Sequence, residues 1–222
     1  VLHLGDVVDG GREDQYPIYL QTRDKIPHPV HEIPGNHDPA PLFEKHLRRP
    51  IDTTVDHHWL RFVLMNNAHT DSHDGFLTAG QLDWLDRQAR QAKQDETRLA
   101  VCMHVPAHDN RHPDRGWHVK PAHGQGELYE ILAAHKDRVL CLVHGHFHNG
   151  VRGWDDRAPL HEICFPSALY NQDRRLTAQN APGYNLSEFR PGYTLVTLEQ
   201  NRMTLRYQPV GTPESAMKQL PH

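Results

Sequence analysis

The sequence predicts an α/β fold. Three observations carry this reading. Short runs of β-forming residues alternate with amphipathic helical segments, the polar residues able to do chemistry stand where those runs end, and one helix carries a complete start signal. In chain order, Val1–Gly5 reads as a strand, roughly Glu13–Lys25 as a helix, and Val30–Ile33 as a second strand. Asp38 can cap a short helix whose first position is Pro39, with Phe43 and Leu47 on one face. Thr53–Val55 and Leu60–Asn66 read as strands. Thr78 and Gln81 match a capping box, and Leu82, Leu85, Ala89 and Ala92 form an apolar stripe at helical spacing. Leu99–Met103 is a strand ending at His104. The stretch Asp109–Gln125 is polar and rich in His, Pro and Gly, a long loop of the kind that often carries function. Leu128, Ile131 and Leu132 mark another helix, and Val139–Val143 another strand. After His148 the pattern is mostly β, at Leu160–Phe165, Tyr193–Leu198 and Met203–Tyr207, and residues 210–222 read as a loose tail. No repeat or linker divides the chain, so one domain over 1–222 is expected.

Bulk properties narrow the function classes. A chain of 222 residues can bury its own core. With 23% charged and 37% hydrophobic residues it reads as globular, and no apolar run approaches membrane-spanning length. A formal net charge of -4 gives no sign of a nucleic-acid backbone as the main partner. Cys102, Cys141 and Cys164 all sit in apolar strand-like runs, which suits buried free thiols and favours a cytoplasmic setting. Any targeting signal would precede Val1. Histidine occurs 20 times, so a lone histidine says little and only histidines within a motif carry weight.

Four segments supply such motifs: Gly5-Asp6-Val7-Val8-Asp9-Gly10-Gly11, Gly35-Asn36-His37-Asp38, Met103-His104-Val105-Pro106 and His144-Gly145-His146-Phe147-His148. A carboxylate at a strand end can bridge two cations held ~4 Å apart. The Asn36 amide oxygen and the imidazoles of His104, His146 and His148 suit hard or borderline cations. Together they read as a site for two divalent ions, an arrangement suited to cleaving phosphate esters. Asn36, His37 and Asp38 fall at a predicted helix N-terminus, where phosphate is favoured. Asp9 reads as a turn residue or as one that supports a ligand from behind, and His144 as pointing into the sheet or supporting the site in the same way. In the long loop, Trp117, His118 and Lys120 are either substrate contacts or loop packing, and His108 is either a substrate residue or surface.

The four motifs, in this order, resemble the calcineurin-like metallophosphoesterase superfamily. The segment Gln81-Leu82-Asp83-Trp84-Leu85 and the run from Glu127 into His144-Gly145-His146 further resemble its bacterial class III cyclic nucleotide phosphodiesterase branch. The resemblance covers Leu4 to about Ser167. It implies a sandwich of two mixed β-sheets flanked by helices, and a hydrolase acting on a phosphodiester, such as a cyclic nucleotide or another small diester. The implied mechanism is in-line attack by a hydroxide bridging two divalent ions, Mn, Fe or Zn. By resemblance Asp6 is the bridge, Asn36, His104 and His146 complete one metal site with Asp6, and His148 serves the other. His37 protonates the leaving oxygen, and Asp38 either orients it or caps the helix. His108, Trp117 and His118 are the candidate substrate contacts. The superfamily opens with Asp-x-His at the end of an earlier strand, and nothing precedes Val1, so the sequence reads as a fragment lacking that first strand, with at most one tight metal site. Two Asp-x-His matches lie within the chain: Asp71-Ser72-His73, read as surface, and Asp56-His57-His58, within a predicted hairpin. The competing expectation is a non-catalytic binding or scaffold protein on the same fold, or an inactive fragment.

Overall fold

The computed structural model describes residues 1–109, 116–148, 160–169, 190–199, 202–213 and 215–221. They gather into two compact units, Val1–His146 and Phe147–His222, where the sequence suggested one domain.

In the first unit, β1 (Leu2–Leu4) runs parallel to β2 (His31–Ile33), with Leu2 opposite His31 and Leu4 opposite Ile33. Between them a 3-10 turn at Glu13–Gln15 leads into α1 (Tyr16–Arg23). Pro17 is tolerated there because the first helical N–H groups have no intrahelical partner. After β2 comes α2 (Ala40–His46). Asp38 does not cap it: the N-cap is Pro39, with no side-chain cap bond. The Asp38 carboxylate is spent elsewhere, accepting N–H bonds from Val7 (3.0 Å), Val8 (3.0 Å) and Gly35 (2.8 Å).

A second sheet contains β3 (Thr53–His57), β4 (Leu60–Leu64), β5 (Arg98–Cys102) and β6 (Val139–His144). β3 pairs antiparallel with β4, and β4, β5 and β6 are parallel neighbours. The parallel strands are joined by α3 (Ala79–Gln94) and α4 (Gln125–Ala134). The start of α3 is the expected capping box: Thr78 Oγ1 accepts from Gln81 N–H at 3.2 Å, and Gln81 Oε1 accepts from Thr78 N–H at 3.0 Å. Its stripe of Leu82, Leu85, Ala89 and Ala92 is buried. Every residue of β6 is buried, as befits a parallel strand covered on both faces. Val63, Leu99, Val101 and Leu142 are wholly inaccessible, each contributing about 1.5–3 kcal/mol of hydrophobic stabilisation.

The second unit holds β7 (His161–Cys164) and an antiparallel meander of β8 (Gly192–Glu199), β9 (Arg202–Pro209) and β10 (Ala216–Pro221). β9 alternates, with Met203, Leu205, Tyr207 and Pro209 inward. The expected loose tail is corrected by β10, which pairs with β9 from Ala216–Tyr207 to Pro221–Arg202 and buries Leu220. The short alternation in Ala216–Leu220 is a weak signal alone, and the partner strand supplies what it lacks.

All three cysteines are free and buried, and burial pushes the Cys141 and Cys164 thiols up to about 12, so they are poor nucleophiles. Among the described residues no helix is long and apolar enough to cross a membrane.

Candidate metal centre

In the first unit two pairs of parallel strands, β1–β2 and β5–β6, send their carboxyl ends to one place, the usual site location in α/β sheets. β1 leads to Asp6, β2 to Asn36, β5 to His104 and β6 to His146. Two glycines allow the approach. A Cβ on Gly5 (φ +96) would lie 2.2 Å from His104 Nδ1, and one on Gly35 would lie 2.1 Å from Asp6 Oδ1. The backbone is also bent against its preference. Asp6 has φ 57 and His146 has φ 73, a region that costs non-glycine residues about 1–3 kcal/mol and recurs at functional sites.

The donors converge on one atom. His104 Nε2 lies 3.3 Å from Asp6 Oδ2, 3.2 Å from Asn36 Oδ1 and 3.1 Å from His146 Nδ1. The ligand atoms of Asp6, His104 and His146 all fall within 4.8 Å of one another. Asn36, His104 and His146 are buried. A carboxylate oxygen and an amide oxygen are pure acceptors, and two imidazole nitrogens can bring at most two protons to such a cluster. This electron-rich pocket of mixed O and N donors fits a divalent cation.

His104 is aimed by its surroundings. Its Nδ1 donates to Leu4 O at 2.6 Å, which leaves Nε2 as the ligand atom. Its main chain is pinned by Asn67, whose Oδ1 accepts from the N–H of His104 (3.1 Å) and of Val105 (3.0 Å), while its Nδ2 donates to Val105 O (2.7 Å). Asn67 is fully buried, and the sequence reading passed over it. The signal was an asparagine pair, Asn66-Asn67, just where an apolar strand stops. Burial works against the His104 imidazolium, but the charge and hydrogen bond of Asp6, with the Leu4 carbonyl, outweigh it and hold the ring above its ordinary value. For Asp6, burial would raise the carboxyl, yet His104 and the His37 N–H (3.1 Å to Oδ1) hold it well below the carboxylate range.

His37 is half-buried at the rim. Its Nδ1 lies 3.0 Å from the Gly10 N–H and 3.0 Å from Asp9 Oδ1. Asp9, read as a turn residue or a supporting one, is the carboxylate beside His37, and Asp38 is not. Asp38 ties β1's exit loop to the Gly35 turn, and burial holds its carboxyl above the ordinary value despite those backbone bonds.

The loop candidates divide. Trp117 does reach the cluster, its ring 5.3 Å from that of His146. His118 is occupied in the loop itself: its N–H donates to Asp74 Oδ1 (3.3 Å) and its ring meets Gly116 O (2.8 Å) and Lys120 Nζ (3.1 Å). His108 packs against His144, ring centroids 5.5 Å apart. His73, read as surface, is solvent-exposed but stands beside the donors, with Nδ1 3.4 Å from Asn36 Nδ2 and its ring stacked on Trp117 at 4.2 Å. His148 belongs to the second unit and takes φ 54.

A carboxylate, an amide and two imidazoles at strand ends thus form a pocket whose donor set suits a divalent cation. The calcineurin-like phosphoesterase family model matches residues 1–150, and the chain belongs to that family. It is a metallophosphoesterase, a hydrolase of phosphoric ester bonds. It is 26% identical over 222 residues to a 3',5'-cyclic-nucleotide phosphodiesterase of Nostoc sp., covering 96% of this chain and 80% of that one. The 3',5'-cyclic adenosine monophosphate phosphodiesterase CpdA of Haemophilus influenzae is 26% identical over 156 residues, 68% of this chain and 55% of its own. The glycerophosphodiester phosphodiesterase GpdQ of Enterobacter lignolyticus is 29% identical over 116 residues, 48% of this chain and 41% of its own. Among solved structures, a dimetal phosphatase from Danio rerio shares the fold with a TM-score of 0.65 at 19% identity, over 98% of this chain and 82% of that one.

Proposed function

We propose that this chain hydrolyses a small phosphodiester, such as a cyclic nucleotide, with His37 as the proton donor to the leaving oxygen. The observation that carries the reading is the convergence of Asp6, Asn36 and His146 on His104 Nε2. These four residues would hold one divalent cation, Mn, Fe or Zn. When bound, the ion supplies Lewis acidity, lowering the pKa of water and offsetting phosphoryl charge. One tight cation site is expected at these four donors.

The protein's own part is orientation and proton transfer. His104 is fixed through Leu4 O so that only Nε2 is offered. As the imidazolium, His37 directs its Nδ1–H at Asp9 Oδ1 and gives its Nε2 proton to the departing alkoxide, which leaves the ring neutral. The names of the relatives, two cyclic-nucleotide phosphodiesterases and a glycerophosphodiester phosphodiesterase, have the diester in common and support it over a monoester. The test is to load the chain with Mn and follow bis-(p-nitrophenyl) phosphate beside p-nitrophenyl phosphate. Metal-dependent turnover, faster on the diester, is expected. Turnover of neither ester, with the metal shown to be bound, would overturn the reading.

A further inference from the structure

The Asn36 amide has two chemically opposite ends. Its oxygen must face the cation, because a rotation of the amide about χ2 would aim an NH2 group at a positive ion. In the structure Oδ1 faces His104 Nε2 at 3.2 Å and Nδ2 faces His73 Nδ1 at 3.4 Å. We propose that His73 is a positioning residue of the metal centre: as an acceptor for Asn36 Nδ2 it selects the amide orientation that gives the oxygen to the metal. This rests on Asn36 being a metal ligand, as proposed above.

Three observations support a fixed ring rather than a passing contact. The His73 ring stacks on Trp117, centroids 4.2 Å apart and planes at 21°. The two segments carrying these rings are zipped together: Gly75 N–H donates to His118 O (3.2 Å), His118 N–H to Asp74 Oδ1 (3.3 Å), and Gly75 bridges Val119 in parallel pairing. Val119 N–H in turn donates to Pro106 O at 2.9 Å, two residues beyond His104. The pair is thus anchored to the same segment that delivers a metal ligand. Acceptance at Nδ1 places the ring proton of neutral His73 on Nε2. Groups that orient metal ligands in this way typically change affinity 10–100-fold when removed.

Two substitutions separate the acceptor from the stack. His73→Phe keeps an aromatic ring against Trp117 and removes the acceptor. His73→Asn removes the ring and keeps an acceptor near the position of Nδ1. Mn affinity of the whole chain is measured by calorimetry for both, for Asn36→Ala and for the Asn36→Ala/His73→Phe double variant, with circular dichroism confirming the fold. His73 is exposed, so these chains are expected to fold. The proposal expects about a 10–100-fold loss for His73→Phe, near wild-type affinity for His73→Asn, and no further loss from His73→Phe once Asn36 is gone. An unchanged affinity in His73→Phe, beside a loss in Asn36→Ala, overturns the role of His73 alone. So does a His73→Phe loss that persists in the Asn36→Ala background. If Asn36→Ala itself binds Mn normally, Asn36 is not a ligand and both readings fall together.

Discussion

His37 Nδ1 lies within 3.0 Å of two groups that ask opposite things of it. The Gly10 N–H needs a lone pair there, and the Asp9 carboxylate favours a proton. The neutral ring satisfies the first and the imidazolium the second, so the ring keeps a partner in either protonation state. That is a useful property for a group that gives up a proton and regains it. Replacing His37 by Ala is expected to lower kcat about 10²–10⁴-fold while leaving Mn content unchanged, read by steady-state kinetics and metal analysis on the same sample. A fall in both together would place His37 among the ligands instead. Asn67 acts differently, since it touches no reacting group and satisfies three buried backbone groups of the His104 turn. Asn67→Ala strands them, at about 1–3 kcal/mol, so its urea midpoint should fall. An unchanged midpoint would mean that another group takes over those bonds. The sequence made His37 visible through its motif, but not its partner. Asp38 is adjacent in the chain and faces backbone N–H groups, whereas Asp9 arrives from the other strand exit. Proximity in sequence is a poor guide to which carboxylate an imidazole meets once two loops cross.

At the scale of elements, the site is made by strands that all stop at the same edge and by glycines that let the exits touch. β5 and β6 were legible because their apolar runs, Leu99–Cys102 and Val139–Val143, are unbroken, and α3 because its capping box and stripe agree with one another. Less legible were the zipped segments around His73 and Trp117, which have no period to read and whose link depends on bonds between Gly75 and His118. β10 was hidden for a related reason, being a strand only beside β9. The glycine before Asn36 gives the sharpest element-level prediction. A methyl group at Gly35 would collide with Asp6 Oδ1 at 2.1 Å and with Asp6 N at 2.4 Å. Neither atom is a flexible side-chain tip that can swing away freely, because Oδ1 is held by the His37 N–H. Gly35→Ala should therefore push the β1 exit from the β2 exit and abolish tight Mn binding. Calorimetry on the variant checks this, and wild-type affinity would show that the two exits are less closely locked than their contacts imply.

For the whole molecule, stability against pH is a sum over every group whose proton affinity changes on folding. The histidines that the fold shifts pull in opposite directions. Burial holds the His3 ring below its ordinary value; the charges of Glu32 and Asp6 oppose this only in part, and the nearby His104 adds to it. His3 Nδ1 is buried without a partner among the described residues, and the ring meets Tyr19 edge-on at 5.7 Å. His31 is lowered likewise, by burial first and then by the N-terminus and Arg48. His104 is raised in the metal-free chain. A histidine lowered by folding takes up a proton more readily when unfolded, so the stability it allows is full above the unfolded pKa of 6.5 and is lost as pH falls below it. A raised one does the reverse, stabilising at low pH and losing its contribution as pH climbs through its folded value. His3→Phe removes one of the first kind while keeping a planar ring against Tyr19. Between pH 7 and pH 5 the urea midpoint of the metal-free chain should fall in both proteins, and fall less in the variant. The difference between the two slopes isolates His3 from the remaining histidines, and parallel slopes would show that His3 accepts its proton in the folded chain as easily as in the unfolded one.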